Sequence, residues 1–123
     1  MATLDRLGDR SVFTCPDCGG VMWELQDGDT LRYRCHIGHA YSPASFGSAM
    51  SAEVVQAMET ALRTLEERGR MLRRLGTQAL RQGHSSSAKL WSDRADVFGR
   101  QAAAIRAALL QIQAAAEQPG RPR

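Results

Sequence analysis

Cys15-Pro16-Asp17-Cys18-Gly19-Gly20, followed by Cys35-His36-Ile37-Gly38-His39, decides how the first part of this chain folds. The two stretches contain all 3 cysteines of the 123 residues and 2 of the 3 histidines. A cysteine pair two residues apart, set against a second pair of donors across a hairpin, is the ligand spacing of a small zinc-binding ribbon. A segment of about 40 residues is too short to fold on apolar burial alone, so a structural Zn2+ is expected to act as its core.

The residues between the two stretches alternate. Val21, Trp23 and Leu25 point one way and Met22, Glu24 and Gln26 the other. Leu31, Tyr33 and Cys35 resume the alternation after Asp27-Gly28-Asp29, a strong hairpin signal. Residues 11–39 therefore predict a short antiparallel hairpin or three-stranded sheet within a ribbon spanning 1–42. Cys15 and Cys18 sit on one knuckle, Cys35 and a histidine on the other. His39 follows Gly38, in the tight turn where a ligand sits, whereas His36 starts on the opposite face of the strand from Cys35. The predicted metal ligands are Cys15, Cys18, Cys35 and His39, with His36 the competitor for the fourth place. A set of four protein donors is closed, which makes the site structural. The alternatives are three cysteines that merely pack, or an active dithiol at Cys15 and Cys18, which lacks its usual βαβ setting. Trp23 and Tyr33 are expected under the first long helix, and Glu24 in water.

After Tyr41 the period changes from two to that of a helix. Ser42-Pro43 predicts a cap and a short helix over 43–49. Ser51 predicts a second start, giving helices over 51–82 and 87–117, with Gly83-His84-Ser85-Ser86-Ser87 as the break and a serine as the cap. Residues 118–123 read as a frayed tail. Met58, Leu65, Leu72 and Ala79 on the first helix share a three-four spacing with Trp91, Phe98, Ile105 and Ile112 on the second. Folding back near Ser85 pairs Ala79 with Trp91, Leu72 with Phe98, Leu65 with Ile105 and Met58 with Ile112. Gly69 and Gly76 lie on that stripe. They read as tolerated residues or a bend, the alternative being close helix approach at a dimer interface. The fold class is thus small α+β: a zinc ribbon followed by an antiparallel helical hairpin over 43–117.

Composition narrows the function. Charged residues make up 24% and hydrophobic ones 43%, ordinary values for a folded chain. The net charge of +3 is mild. No apolar run suits a signal peptide or a membrane span, and an odd cysteine count argues against a disulfide framework. The expected location is cytoplasmic, where thiols stay reduced.

The runs Phe13-Thr14-Cys15-Pro16-Asp17-Cys18-Gly19-Gly20, Trp23-Glu24 and Tyr33-Arg34-Cys35-His36-Ile37-Gly38-His39-Ala40-Tyr41-Ser42 resemble a segment at the C-terminal end of long CheB-type chemotaxis protein-glutamate methylesterases. The helical pair, with Leu65-Glu66-Glu67-Arg68, resembles it too, so the likeness covers Phe13 to about Leu110. In that family the Gly-His pair is characteristic and the position of His36 need not be histidine, which implies His39 as ligand. The esterase domain is missing. Gly83-His84-Ser85-Ser86-Ser87 lacks the second glycine and the preceding strand of a nucleophile elbow.

The resemblance implies a non-catalytic, zinc-binding regulatory module in bacterial chemosensory signalling. Its expected partners are proteins, or a second copy through the helices, with no membrane and no small-molecule substrate. The alternative is a nucleic-acid-binding ribbon. Arg63, Arg68, Arg70, Arg73, Arg74 and Arg81 against Glu66 and Glu67 give residues 63–81 a charge of +4. Arg63 with Glu67, and Glu66 with Arg70, are spaced as ordinary surface pairs. Residues 1–42 hold six acids and four bases, the wrong sign for a nucleic-acid-binding ribbon.

Overall fold

The computed structural model describes residues 2–116, and the predicted tail at 118–123 lies outside them. In order, the elements are α1 (Ala2–Leu7), β1 (Gly8–Thr14), β2 (Val21–Asp27), β3 (Thr30–Cys35), β4 (Ala40–Tyr41), α2 (Pro43–Arg81) and α3 (Ser85–Ala116). The chain is α+β. It divides into two compact units, 1–54 and 55–123, with the boundary inside α2. No helix among the described residues is long and apolar enough to cross a membrane.

The first unit is a four-stranded antiparallel meander in the order β1-β2-β3-β4. A two-residue turn, Gly28-Asp29, sets Asp27 opposite Thr30. That register places Trp23 opposite Arg34, and Glu24 opposite Tyr33. Trp23 and Tyr33 therefore point to opposite faces of the sheet. Tyr33 does pack under the start of α2, its ring 4.7 Å from that of Phe46. Trp23 does not. It is completely buried on the other face, where α1 packs against β1 and β2. Its indole N–H donates to the Asp5 carboxylate at 2.7 Å, and Arg10 lies over the ring at 5.5 Å. A bulge in β1 between Arg10 and Thr14 interrupts the ladder. The Ser11 hydroxyl replaces the missing bonds, donating to the Met22 carbonyl and accepting from the Phe13 N–H.

Ser42 caps α2 as its sequence predicts. Its hydroxyl accepts from the Ser45 N–H at 3.1 Å, and the Ser45 hydroxyl accepts from the Ser42 N–H at 2.9 Å, a reciprocal box. No break follows at Met50–Ser51: the short helix and the long one are a single 39-residue helix. Ser51 cannot stop it, because its hydroxyl donates to the Gly47 carbonyl one turn back, at 3.1 Å, and leaves the backbone ladder intact.

In the second unit, α2 ends at Arg81. The Gly83 N–H bonds to the Leu80 carbonyl and the His84 N–H to the Ala79 carbonyl, with Gly83 at φ +78°. This is a Schellman stop. α3 starts at Ser85, two residues before the position its serines suggest, and its first carbonyl acceptor is His84. The seam is built from Leu72, Ala79, Ala95, Ala102 and Leu109, all buried. Gly69 and Gly76 are buried in it too, which corrects their reading as tolerated residues. A β-carbon on Gly76 would meet the Ala88 carbonyl oxygen at 3.4 Å and Trp91 Cβ at 3.5 Å; one on Gly69 would meet Phe98 Cβ at 3.9 Å. The helices of one chain approach closely there. Trp91 lies level with Gly76, and Phe98 with Gly69, so the predicted register holds to within one turn.

Candidate metal centre

Each knuckle is a loop closed by its own backbone. The Cys15 N–H donates to the Gly20 carbonyl at 2.7 Å and the Gly19 N–H to the Cys15 carbonyl at 2.8 Å. In the second loop the Cys35 N–H donates to the His39 carbonyl at 3.0 Å and the Gly38 N–H to the Cys35 carbonyl at 3.1 Å. Gly19 and Gly38 take φ of +73° and +116°, which side-chain-bearing residues rarely adopt. The turns aim four side chains at one point.

Cys15, Cys18, Cys35 and His39 converge, with all four ligand atoms within 4.8 Å of one another. Cys18 Sγ is 3.7 Å from Cys35 Sγ. His39 presents Nδ1, at 3.6 Å from Cys15 Sγ and 3.3 Å from Cys35 Sγ. Among the described residues this is the one group of ligating side chains that converges, and it could hold a metal ion. Cys15 and Cys35 are fully buried, His39 half-buried and Cys18 exposed. His36 is exposed and takes no part. Its ring lies across Gly20, with Cε1 2.9 Å from where a β-carbon would stand.

The acidities of the Cys35 and Cys18 thiols move in opposite directions. Burial pushes the Cys35 thiol up, but the N–H groups of Gly38, His39 and Ile37 outweigh it and hold the group down at about 6. Hydrogen bonding from the Gly20 N–H favours the Cys18 thiolate, yet lost hydration and the sulfurs of Cys15 and Cys35 outweigh it and raise that thiol. Several thiolates at this separation repel unless a cation stands among them.

The shell around the donors is apolar and aromatic. Cys15, Cys35, Met22 and Phe46 form one buried cluster, with Tyr33 and Tyr41 against it. The Tyr41 hydroxyl donates to Asp17, tying the first knuckle to the strand that leaves the second. That bond holds the Tyr41 phenol well above its ordinary range. The sequence reading missed this pair; its only signal is that each residue stands two positions from a ligand. Glu24 is half-buried rather than in water, accepting from the Tyr33 hydroxyl at 3.0 Å.

No family model, curated protein or solved structure matches the chain. The arginines of α2 are partly paired: Arg63 with Glu67 at 3.4 Å and Arg73 with Asp96 at 3.2 Å. Glu66 pairs across the hairpin with Arg106 at 3.0 Å, not with Arg70 as its spacing suggests.

Proposed function

We propose that this chain is a cytoplasmic zinc-binding module that makes protein–protein contacts and has no catalytic chemistry of its own. The donor spacing carries the reading. Bonds of about 2.3 Å to sulfur and about 2.0–2.1 Å to nitrogen give a tetrahedral zinc ion edges of about 3.8 Å between sulfurs and about 3.6 Å between sulfur and nitrogen. The corresponding separations are 3.7 Å for Cys18–Cys35, and 3.6 and 3.3 Å for His39 with Cys15 and Cys35. Three sulfurs and one imidazole are also the donors zinc prefers. Four protein ligands fill a tetrahedral ion and leave no position for water or substrate, which supports a structural role.

The setting we propose is bacterial chemosensory regulation. It rests on the likeness of residues 13–20 and 33–42 to the segment that follows the esterase domain in CheB-type proteins. The test has two parts. Chain purified without added metal is analysed by mass spectrometry, and crosslinking in the source cells identifies its neighbours. One zinc per chain and chemosensory proteins among the crosslinks are expected. A folded ribbon without metal refutes the zinc site; crosslinks to nucleic acid refute the protein-contact role.

A further inference from the structure

The helical hairpin has two unlike flanks. A helix turns every 3.6 residues, so positions three, four and seven apart share a stripe. On one flank Arg73 reaches Asp96 and Arg106 reaches Glu66, so ion pairs close the seam from α2 to α3. The other flank is built from Arg68, Met71 and Leu75 on α2 and Leu90, Arg94 and Val97 on α3. Met71, Leu90 and Val97 are 56%, 49% and 42% exposed. The two large aromatic rings of the seam, Phe98 and Trp91, are only half-buried. Guanidinium groups roof them: Arg68 stands 5.9 Å from the Phe98 ring centre and Arg94 5.6 Å from that of Trp91. Among the described residues no carboxylate pairs with Arg68 or Arg94. The acids that border the apolar ridge, Asp93 (three from Leu90, four from Val97) and Glu67 (four from Met71), are engaged within their own helices, by Lys89 at 3.1 Å and Arg63 at 3.4 Å.

We propose that this flank docks an amphipathic helix of another protein, one that lays an apolar ridge along Met71, Leu75, Leu90 and Val97 and brings carboxylates to Arg68 and Arg94. The proposal rests on the protein-contact reading above and names the chemistry of the partner. Charge complementarity selects the occupant, since the flank offers two cations without a carboxylate partner, apolar side chains, and acids that are already paired within their own helices. A second copy is the wrong occupant. Arg68 lies midway along the stretch of α2 from Val55 to Arg81. Two copies overlapping fully about a two-fold axis that sets α2 against α2 would bring both Arg68 side chains together, and the neighbouring acids, Glu67 and Asp93, are already paired with Arg63 and Lys89. A phosphate backbone satisfies the arginines but leaves the apolar ridge uncovered.

The test uses the full zinc-loaded chain and two fluorescent peptides of about five helical turns, each with leucines on one stripe. One carries glutamates on the remaining face and the other lysines. In anisotropy titrations the glutamate peptide is expected to bind at least about tenfold more tightly, a difference of about 1.4 kcal/mol. The double variant Arg68→Glu, Arg94→Glu is expected to reverse that order while keeping its helicity and zinc content. Three results overturn the proposal: neither peptide saturates, both bind alike, or the charge reversal leaves the preference unmoved. Sedimentation of a dimer that Val97→Glu dissociates assigns the flank to a second copy instead. Steeply salt-dependent binding of duplex DNA, lost in the double variant, assigns it to nucleic acid. Zinc content, measured on the same samples, shows separately whether the metal site has failed.

Discussion

Replacing Cys18 by serine separates the metal's contribution from that of the packed side chains. Cys18 is the exposed cysteine of the four converging donors, whereas Cys15 and Cys35 are fully buried, so the substitution removes a donor without opening a cavity. A serine hydroxyl stays protonated where a thiolate would bind. If an apparent zinc affinity of about 10–16 kcal/mol is shared over four bonds, one ligand accounts for about 3 kcal/mol, or about two orders of magnitude in affinity. In a zinc-buffered solution the first unit should then unfold. The helices have 6, 39 and 32 residues, and only α1 and residues 43–54 of α2 belong to that unit. Their loss removes about a quarter of the ellipticity at 222 nm, because the signal scales with helical residues closing hydrogen-bonded turns. Competition against a chromophoric chelator measures the affinity, and circular dichroism measures the fold. Full ellipticity in the metal-free variant would show that the ribbon does not need the ion. Loss of more than half would show that the helices unfold with the ribbon as one cooperative unit.

Other substitutions probe the packing around the site. Gly69→Ala should stabilise the hairpin by about 1 kcal/mol, because a helical glycine gives way to alanine where the added β-carbon meets Phe98 Cβ and the Ala95 carbonyl oxygen at an ordinary 3.9 Å. Calorimetry should show that as a rise of about 4–8 °C in Tm. Gly83→Ala should move Tm the other way, since φ is +78° at that position. Asp5→Ala removes the acceptor of the buried Trp23 N–H; a lower urea midpoint for the first unit and red-shifted tryptophan emission should follow. The hydrogen bond to Glu24 raises the Tyr33 phenol above its ordinary value. A raised folded pKa means that this stabilisation is complete below about pH 10, the unfolded value, and is lost as pH rises through the folded one. Absorbance at 295 nm should show Glu24→Gln shifting one of the 2 tyrosines to lower pH.

Local turn chemistry made the candidate metal ligands legible. Cys15, Cys18 and His39 each lie beside a glycine or a proline, and Cys35 opens the loop that Gly38 turns, so each pair is marked within a few residues of sequence. The cap at Ser42 is legible for the same reason. What the sequence hid is non-local or self-cancelling. Tyr41 and Asp17 stand 24 residues apart, and no periodicity links them. Ser51 has the composition of a helix start, but the hydroxyl that could cap a new helix is bonded to Gly47 of the existing one. The glycines of α2 look alike in sequence whether they face water or a neighbouring helix.

The missed helix α1 follows from a register that could have been worked out in advance. A two-residue turn at Gly28-Asp29 sets Asp27 opposite Thr30, hence Glu24 opposite Tyr33 and Trp23 opposite Arg34. Side chains opposite each other share a face, and neighbours along a strand do not. Trp23 and Tyr33 can therefore never lie under one helix. Phe46 and the start of α2 cover Tyr33. An indole on the opposite face of so small a sheet needs a cover of its own and a partner for its N–H. With the ribbon's later residues committed to the knuckles and α2, that cover has to come from the chain before β1. The six residues of α1 carry no convincing helical pattern by themselves, yet they bury Leu4 and supply Asp5 for the indole nitrogen. The sheet requires this helix even though its local sequence does not announce it.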